Sequence, residues 1–263
     1  MEVERGYRSD SLFNQASEAS NRGQHHEAVR SYEALVRKYP AEPLLETLLA
    51  SAYSKIGRND LAITHFQHAL GMDHLFRPAW EGLGYAHQKR GELQEAETAL
   101  RSAIAVKPLS YNCVLLAAVL IDRKQFEEAL EYCQKALQIN PAYEEAYLNL
   151  GVVFKNQERH PEAIAALTKS IELDPHYTEA YYVLGMTYYA EGKYSFAESA
   201  LRQALNQKSD HVWSIFYLAL TLWQMKRFNE AEIRFHQAMD LSSHPIILEH
   251  YLMFCEAWRQ DEH

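Results

Sequence analysis

EEAYLNLGVVFKNQERHPEAIAALTKSIELDP, Glu144 to Pro175, reads as two helices joined by a turn. Pro175 stops the second helix, because a proline cannot continue one. Gly151, Ala163 and Ser170 place small side chains at three points of the stretch. Small side chains at fixed points of a helical period mean that two backbones approach closely there. The unit is therefore an antiparallel pair, helix A then helix B.

The pattern recurs along the whole chain. The alanine matching Ala163 appears as Ala28, Ala62, Ala96, Ala129, Ala197 and Ala231, at spacings of 34 residues with a single 33 between Ala96 and Ala129. Twelve residues before each stands Ala16, Ala50, Gly84, Ala117, Gly151, Gly185 or Ala219. Seven residues after each stands Leu35, Ala69, Ala103, Ala136, Ser170, Ala204 or Ala238. The turn between helices carries Gly23, Gly57, Gly91 and Gly192, which suit a helix C-cap with positive φ. Lys124, Glu158 and Lys226 take that place in the other units, at a small expected cost. Pro40, Pro108, Pro141 and Pro175 punctuate the ends of B helices.

Such a period resembles the tetratricopeptide repeat, a 34-residue helix–turn–helix unit. Tyr147, Leu150, Gly151, Phe154, Ala163, Ser170 and Pro175 occupy its signature places, as do Trp80, Leu83 and Gly84 in RPAWEGLGYAHQKRG. The resemblance implies an all-α fold, a right-handed α-α superhelix. The frames are Ser9–Glu42, Pro43–Phe76, Arg77–Leu109, Ser110–Tyr143, Glu144–Tyr177, Thr178–His211 and Val212–Pro245. Residues 1–8 form an N-terminal extension, and residues 246–263 a capping helix of the kind that covers the last repeat of a solenoid. Repeat four departs furthest from the pattern, with Cys113 and Cys133 at packing places. A local irregularity of stacking is expected there, without a domain boundary.

The resemblance also implies that helix A lines a concave face. VWSIFYLALTLW, Val212 to Trp223, then holds two apolar stripes. Ile215, Leu218, Ala219 and Leu222 build the repeat. Trp213, Phe216, Tyr217, Leu220 and Trp223 are left over for the groove, and Ser214 and Thr221 share a third face. The same groove positions are mildly polar in repeats one to three, with Asn14, Ser17, Thr47, Ser51 and Glu81. Further on they hold Tyr111 and Leu115, then Leu148 and Val152, then Tyr182, Met186 and Tyr189. Aromatics and methionine dominate interface energy, and an exposed apolar patch marks a binding surface. Repeats four to seven are therefore the expected site for an apolar peptide or amphipathic helix of another protein. Two alternatives stand beside this: the final helix, apolar through Ile246, Ile247, Tyr251, Leu252 and Phe254, folds over repeat seven, or the chain self-associates there.

Composition narrows the rest. The chain has 263 residues, 48% hydrophobic, with a net charge of −9 and no Lys/Arg-rich run, so nucleic acid is not an expected partner. The first residues lack the apolar core of a secretory signal, and no uncharged apolar run approaches the roughly 20 residues of a membrane span. Three widely separated cysteines offer no disulfide framework, which suits a reducing, cytoplasmic setting. No cofactor is expected. Thirteen histidines include the pair His65 and His68, but no HExxH, CxxC or nearby cysteine accompanies them, so they read as surface residues and no metal is expected. No phosphate loop, GxSxG or enclosed carboxylate pair points to catalysis, so the chain is not expected to be an enzyme. Of the family's subtypes, the carboxylate-gripping set of Lys, Asn and Arg is not reproduced, since Lys55, Asn59, Lys155 and Arg159 fall at helix ends or turns. The asparagine ladder is represented by Asn14 and Asn149 alone. The expected function is a protein-binding adaptor or scaffold. A dedicated chaperone or assembly factor, or the non-catalytic subunit of an enzyme or sensor complex, are the alternatives.

Overall fold

A computed structural model describes residues 6–261, with side chains to residue 258. The described residues form fifteen α-helices and no strand. They pair as seven hairpins: α1 (Ser11–Asn21) with α2 (His25–Lys38), α3 (Pro43–Lys55) with α4 (Asn59–Met72), α5 (Arg77–Lys89) with α6 (Leu93–Val106), α7 (Ser110–Asp122) with α8 (Phe126–Ile139), α9 (Glu144–Asn156) with α10 (His160–Leu173), α11 (Thr178–Ala190) with α12 (Tyr194–Gln207), and α13 (Val212–Gln224) with α14 (Phe228–Leu241). A last helix, α15 (Pro245–Asp261), follows. No described helix is long and apolar enough to cross a membrane.

The small-residue series explains the pairing. All seven alanines from Ala28 to Ala231 are fully buried, as are Leu35 and its six counterparts. Where helix A carries glycine, the approach is tightest. A Cβ on Gly84, Gly151 or Gly185 would lie 2.6, 2.5 or 2.6 Å from the Cγ of Leu100, Leu167 or Leu201. Where helix A carries alanine, the matching B position holds Tyr32, Phe66, Cys133 or Phe235 instead of leucine. A flat ring or a small thiol leaves room for a methyl group that the branched Cγ of leucine denies.

Every A–B turn closes with the same left-handed cap. The residue after the turn position donates its N–H to a carbonyl five residues back, at 2.8–3.0 Å, in all seven hairpins. Such closure requires positive φ at the turn residue. Gly23, Gly57, Gly91 and Gly192 supply it at +71 to +77°, and Lys124, Glu158 and Lys226 are held there at 59–60°. A side chain in this region costs roughly 1–2 kcal/mol. Glycine regains part of that through unfolded-chain entropy. Lys124→Gly and Lys226→Gly, both at exposed positions, are therefore each expected to stabilise the chain by about 0.5–1 kcal/mol in denaturant unfolding.

The chain divides into two compact units, residues 1–139 and 140–263. The division falls directly after the second helix of repeat four, where the sequence suggests irregular stacking but no boundary. Within each unit, helix B also packs against the next helix A, and the A helices of repeats two to four and of repeats five to seven touch in succession. In the first unit, the 33-residue step is absorbed by Asn112, which is fully buried. Its Oδ1 accepts from the Leu109 N–H at 2.9 Å, and its Nδ2 donates to the Lys107 carbonyl at 2.9 Å and to Glu81 at 3.3 Å. Tyr7, outside the repeat frames, is also buried, edge-on to Phe13 and Tyr39 at 5.5 and 6.3 Å. It closes the first hairpin's open end. Asp10 caps α1 through the Leu12 N–H and pairs with Lys38 at 2.7 Å, and that lysine holds the carboxyl below its ordinary pKa.

Candidate partner-binding surface

The second unit ends in an aromatic core. Ile215, Leu218, Ala219 and Leu222 are buried, as their stripe requires. Ser214 and Thr221 are buried too. Ser214 Oγ lies 2.6 Å from His211 Nδ1, and Thr221 Oγ1 donates to the Tyr217 carbonyl at 2.7 Å, so their face needs no water. Their counterparts Ala180 and Thr187 are buried in the same way, because this face of helix A packs against helix B of the preceding repeat. Beyond repeat seven, α15 packs on α14 and inserts Ile247 and Phe254, both fully buried. Phe254 meets Trp223, Phe235 and Trp258 with ring centroids 5.7, 5.3 and 5.3 Å apart. Phe216 meets His250 of the same helix at 5.3 Å, and Trp213 meets His244 at 5.1 Å.

The groove residues thus separate into four groups. Leu115, Leu148, Phe216 and Leu220 belong to the buried core, at 9, 9, 2 and 6% exposure. Trp213 and Trp223 are half-buried against the chain's own final segment. Val152, Tyr182, Met186, Tyr189 and Tyr217 are half-buried on helices α9, α11 and α13. Tyr111 is exposed and belongs to the first unit, where it lines a cleft of about 280 Å³ with Ser51, Ser54, Phe66, Gly82 and Tyr85.

Three tyrosines of the second unit make one cluster. Tyr217 stands edge-on to Tyr182 at 5.8 Å and to Tyr189 at 6.0 Å, and Tyr182 also meets His211 at 5.1 Å. Edge-to-face rings at this distance attract one another by about 0.5–1.5 kcal/mol per pair. Burial raises the pKa of all three phenols, so they remain neutral hydroxyls at physiological pH. Beside them opens a cleft of about 570 Å³. Met186, Tyr189, Ala190 and Tyr217 line it together with Lys155, Asn156 and His160. Burial lowers the pKa of Lys155. Lys155 continues the groove positions of repeat five after Leu148 and Val152, whereas His160 is not among the expected groove residues. Both stand at helix ends, and only the stacking of repeat six beside repeat five turns those ends toward Met186.

In the first unit the structure adds a residue to the histidine pair. Glu46 of α3 is buried, and its Oε2 lies 2.6 Å from His65 Nδ1 of α4.

Two family models, each described as tetratricopeptide repeat, match this chain, one at residues 13–74 and 47–110, the other at 110–176 and 143–210. A curated relative, small glutamine-rich tetratricopeptide repeat-containing protein 2 of Mycosarcoma maydis, is 29% identical over 102 residues, 39% of this chain but 28% of the relative's length. The crystal structure of the APC/C hetero-tetramer Cut9-Hcn1 is similar at a TM-score of 0.81 and 19% identity, over 91% of this chain and 48% of that one. The structure described as YrrB, a TPR protein with an unusual peptide-binding site, is similar at a TM-score of 0.52 and 22% identity, over 72% of this chain and 97% of that one. Those likenesses carry the all-α solenoid fold. With the family models spanning residues 13–210, the chain belongs to the tetratricopeptide repeat family.

Proposed function

We propose that this chain is a non-enzymatic, cytoplasmic adaptor whose second unit binds an apolar peptide or amphipathic helix of another protein. Repeats of this family serve protein–protein interaction, and a peptide-binding site is named for one structure of similar fold. The observation that carries the reading is the Tyr182–Tyr189–Tyr217 cluster opening on the cleft at Met186. A half-buried aromatic wall beside a cleft of this size accommodates one bulky apolar anchor, the arrangement that concentrates binding energy in few residues. The proposed contact set is Val152, Tyr182, Met186, Tyr189 and Tyr217.

A peptide library selected on the purified chain provides the probe. Selected peptides are expected to carry aromatic or aliphatic anchors. Tyr189→Ala is expected to weaken the best of them at least tenfold, about 1.4 kcal/mol, with helical content unchanged by circular dichroism. Phe196→Ala, at a 61% exposed position outside the cleft, is the control and should leave affinity within about twofold. Equal affinity for wild type and Tyr189→Ala would overturn the proposal.

A further inference from the structure

Helices α3 and α4 of repeat two bring Glu46, His65 and His68 together so that one donor atom of each lies within 4.8 Å of the other two. His65 and His68, three residues apart, share one face of α4. Glu46 comes from the facing helix, with its side chain almost entirely out of water. Its carboxylate oxygens lie 2.6 Å from His65 Nδ1 and 3.9 Å from His68 Nδ1.

We propose that this trio is a binding site for a divalent transition metal of the zinc class. A buried carboxylate needs a compensating positive charge. No lysine or arginine of the described residues pairs with Glu46; its ion-pair partners there are the two histidines. A divalent cation meets the need and takes one donor atom from each of the three side chains. Two imidazole nitrogens and one carboxylate oxygen select zinc, copper or nickel over calcium or magnesium, which prefer all-oxygen shells. Tetrahedral bonds of about 2.0–2.2 Å place donor atoms about 3.3 Å apart. The His65–Glu46 distance opens slightly to reach that spacing and His68, which is exposed, swings inward. Three protein ligands leave a fourth position for water.

The surroundings hold the ligands in place. The Tyr53 ring stacks on His65, with centroids 5.4 Å apart and planes 13° from parallel, and the Tyr53 hydroxyl donates to Glu33 at 2.5 Å. The Tyr53 ring thus packs along one face of the His65 imidazole. The metal would clasp helix A to helix B in repeat two, in a unit separate from the proposed peptide surface.

The test uses the full chain without a polyhistidine tag, stripped by chelator and titrated with Zn²⁺ in competition with a chromophoric chelator. One tight equivalent is expected. His68→Gln and Glu46→Gln should each weaken it at least about tenfold, whereas His176→Gln, in the other unit, should not. Zinc should raise the melting midpoint of the wild type, because it binds only the folded chain, and leave that of His68→Gln unmoved. His68 is largely exposed, so its replacement tests metal binding without loss of fold. Absence of a tight equivalent, or equal zinc affinity in wild type and His68→Gln, would overturn the site and leave a hydrogen-bonded His–Glu pair only.

Discussion

Phe254→Ala is expected to lower the stability of the second unit by about 4 kcal/mol. The ring is fully buried and touches Trp223, Phe228 and Phe235 of repeat seven and Tyr251 and Trp258 of the final helix itself. Truncation removes both the transfer energy of the ring and its packing partners, and a terminal helix has a neighbour on only one side to relax against. Tryptophan emission should shift to the red as Trp223 and Trp258 gain water. Leu252→Ala, on the same helix but 54% exposed, should change stability by no more than about 0.5 kcal/mol. A loss below 1 kcal/mol for Phe254→Ala, measured by denaturant unfolding, would mean that the final helix does not cap repeat seven as described.

Gly185→Ala should be destabilising by about 2 kcal/mol, against the ordinary direction of that change. In a helix interior alanine is better than glycine by about 1 kcal/mol. At Gly185 the new methyl would lie 2.6 Å from Leu201 Cγ and 2.8 Å from Cδ2, so helix A must move off helix B or leucine must leave its rotamer. Gly71 provides the contrast. It is helical, with nothing within 4 Å of an added Cβ, and Gly71→Ala should stabilise by about 0.5–1 kcal/mol. Repeat seven already holds Ala219 and Phe235 at the places of Gly185 and Leu201. Adding Leu201→Phe to Gly185→Ala should therefore recover at least about half the loss, as expected for a contacting pair whose effects are not additive. Stabilisation by Gly185→Ala alone would show that the hairpins pack more loosely than the backbone approach implies.

How far the functional surface was legible differs by residue. Tyr182, Met186, Tyr189 and Tyr217 follow from helical spacing within the repeat frame, and they lie together in the structure. Phe216 and Leu220 obey the same spacing and are nevertheless core. A signal for this was present, because α13 is apolar on nearly every side and a helix of that kind is buried all round. Assigning two stripes to two faces presumed that the second face stayed open, and Ile247, His250 and Phe254 close it. Glu46 carries no such signal, because its partners stand on the other helix of the hairpin: the antiparallel register that sets Gly84 against Ala96 and Leu100 also sets Glu46 against His65.

The sequence by itself determined the repeat, the places where helices must touch, and the turns that need positive φ. These are short-range demands, met within one hairpin, and a 34-residue period repeats them until they are unmistakable. Even Lys124, Glu158 and Lys226 were identifiable as residues forced into a glycine's conformation. Only the tertiary structure decided which apolar side chains remain uncovered and which polar ones meet across a hairpin. Periodicity records the face of a helix on which a side chain stands, but what lies against that face depends on other elements. Phe216 beneath His250 and Glu46 beside His65 are both consequences of that second step.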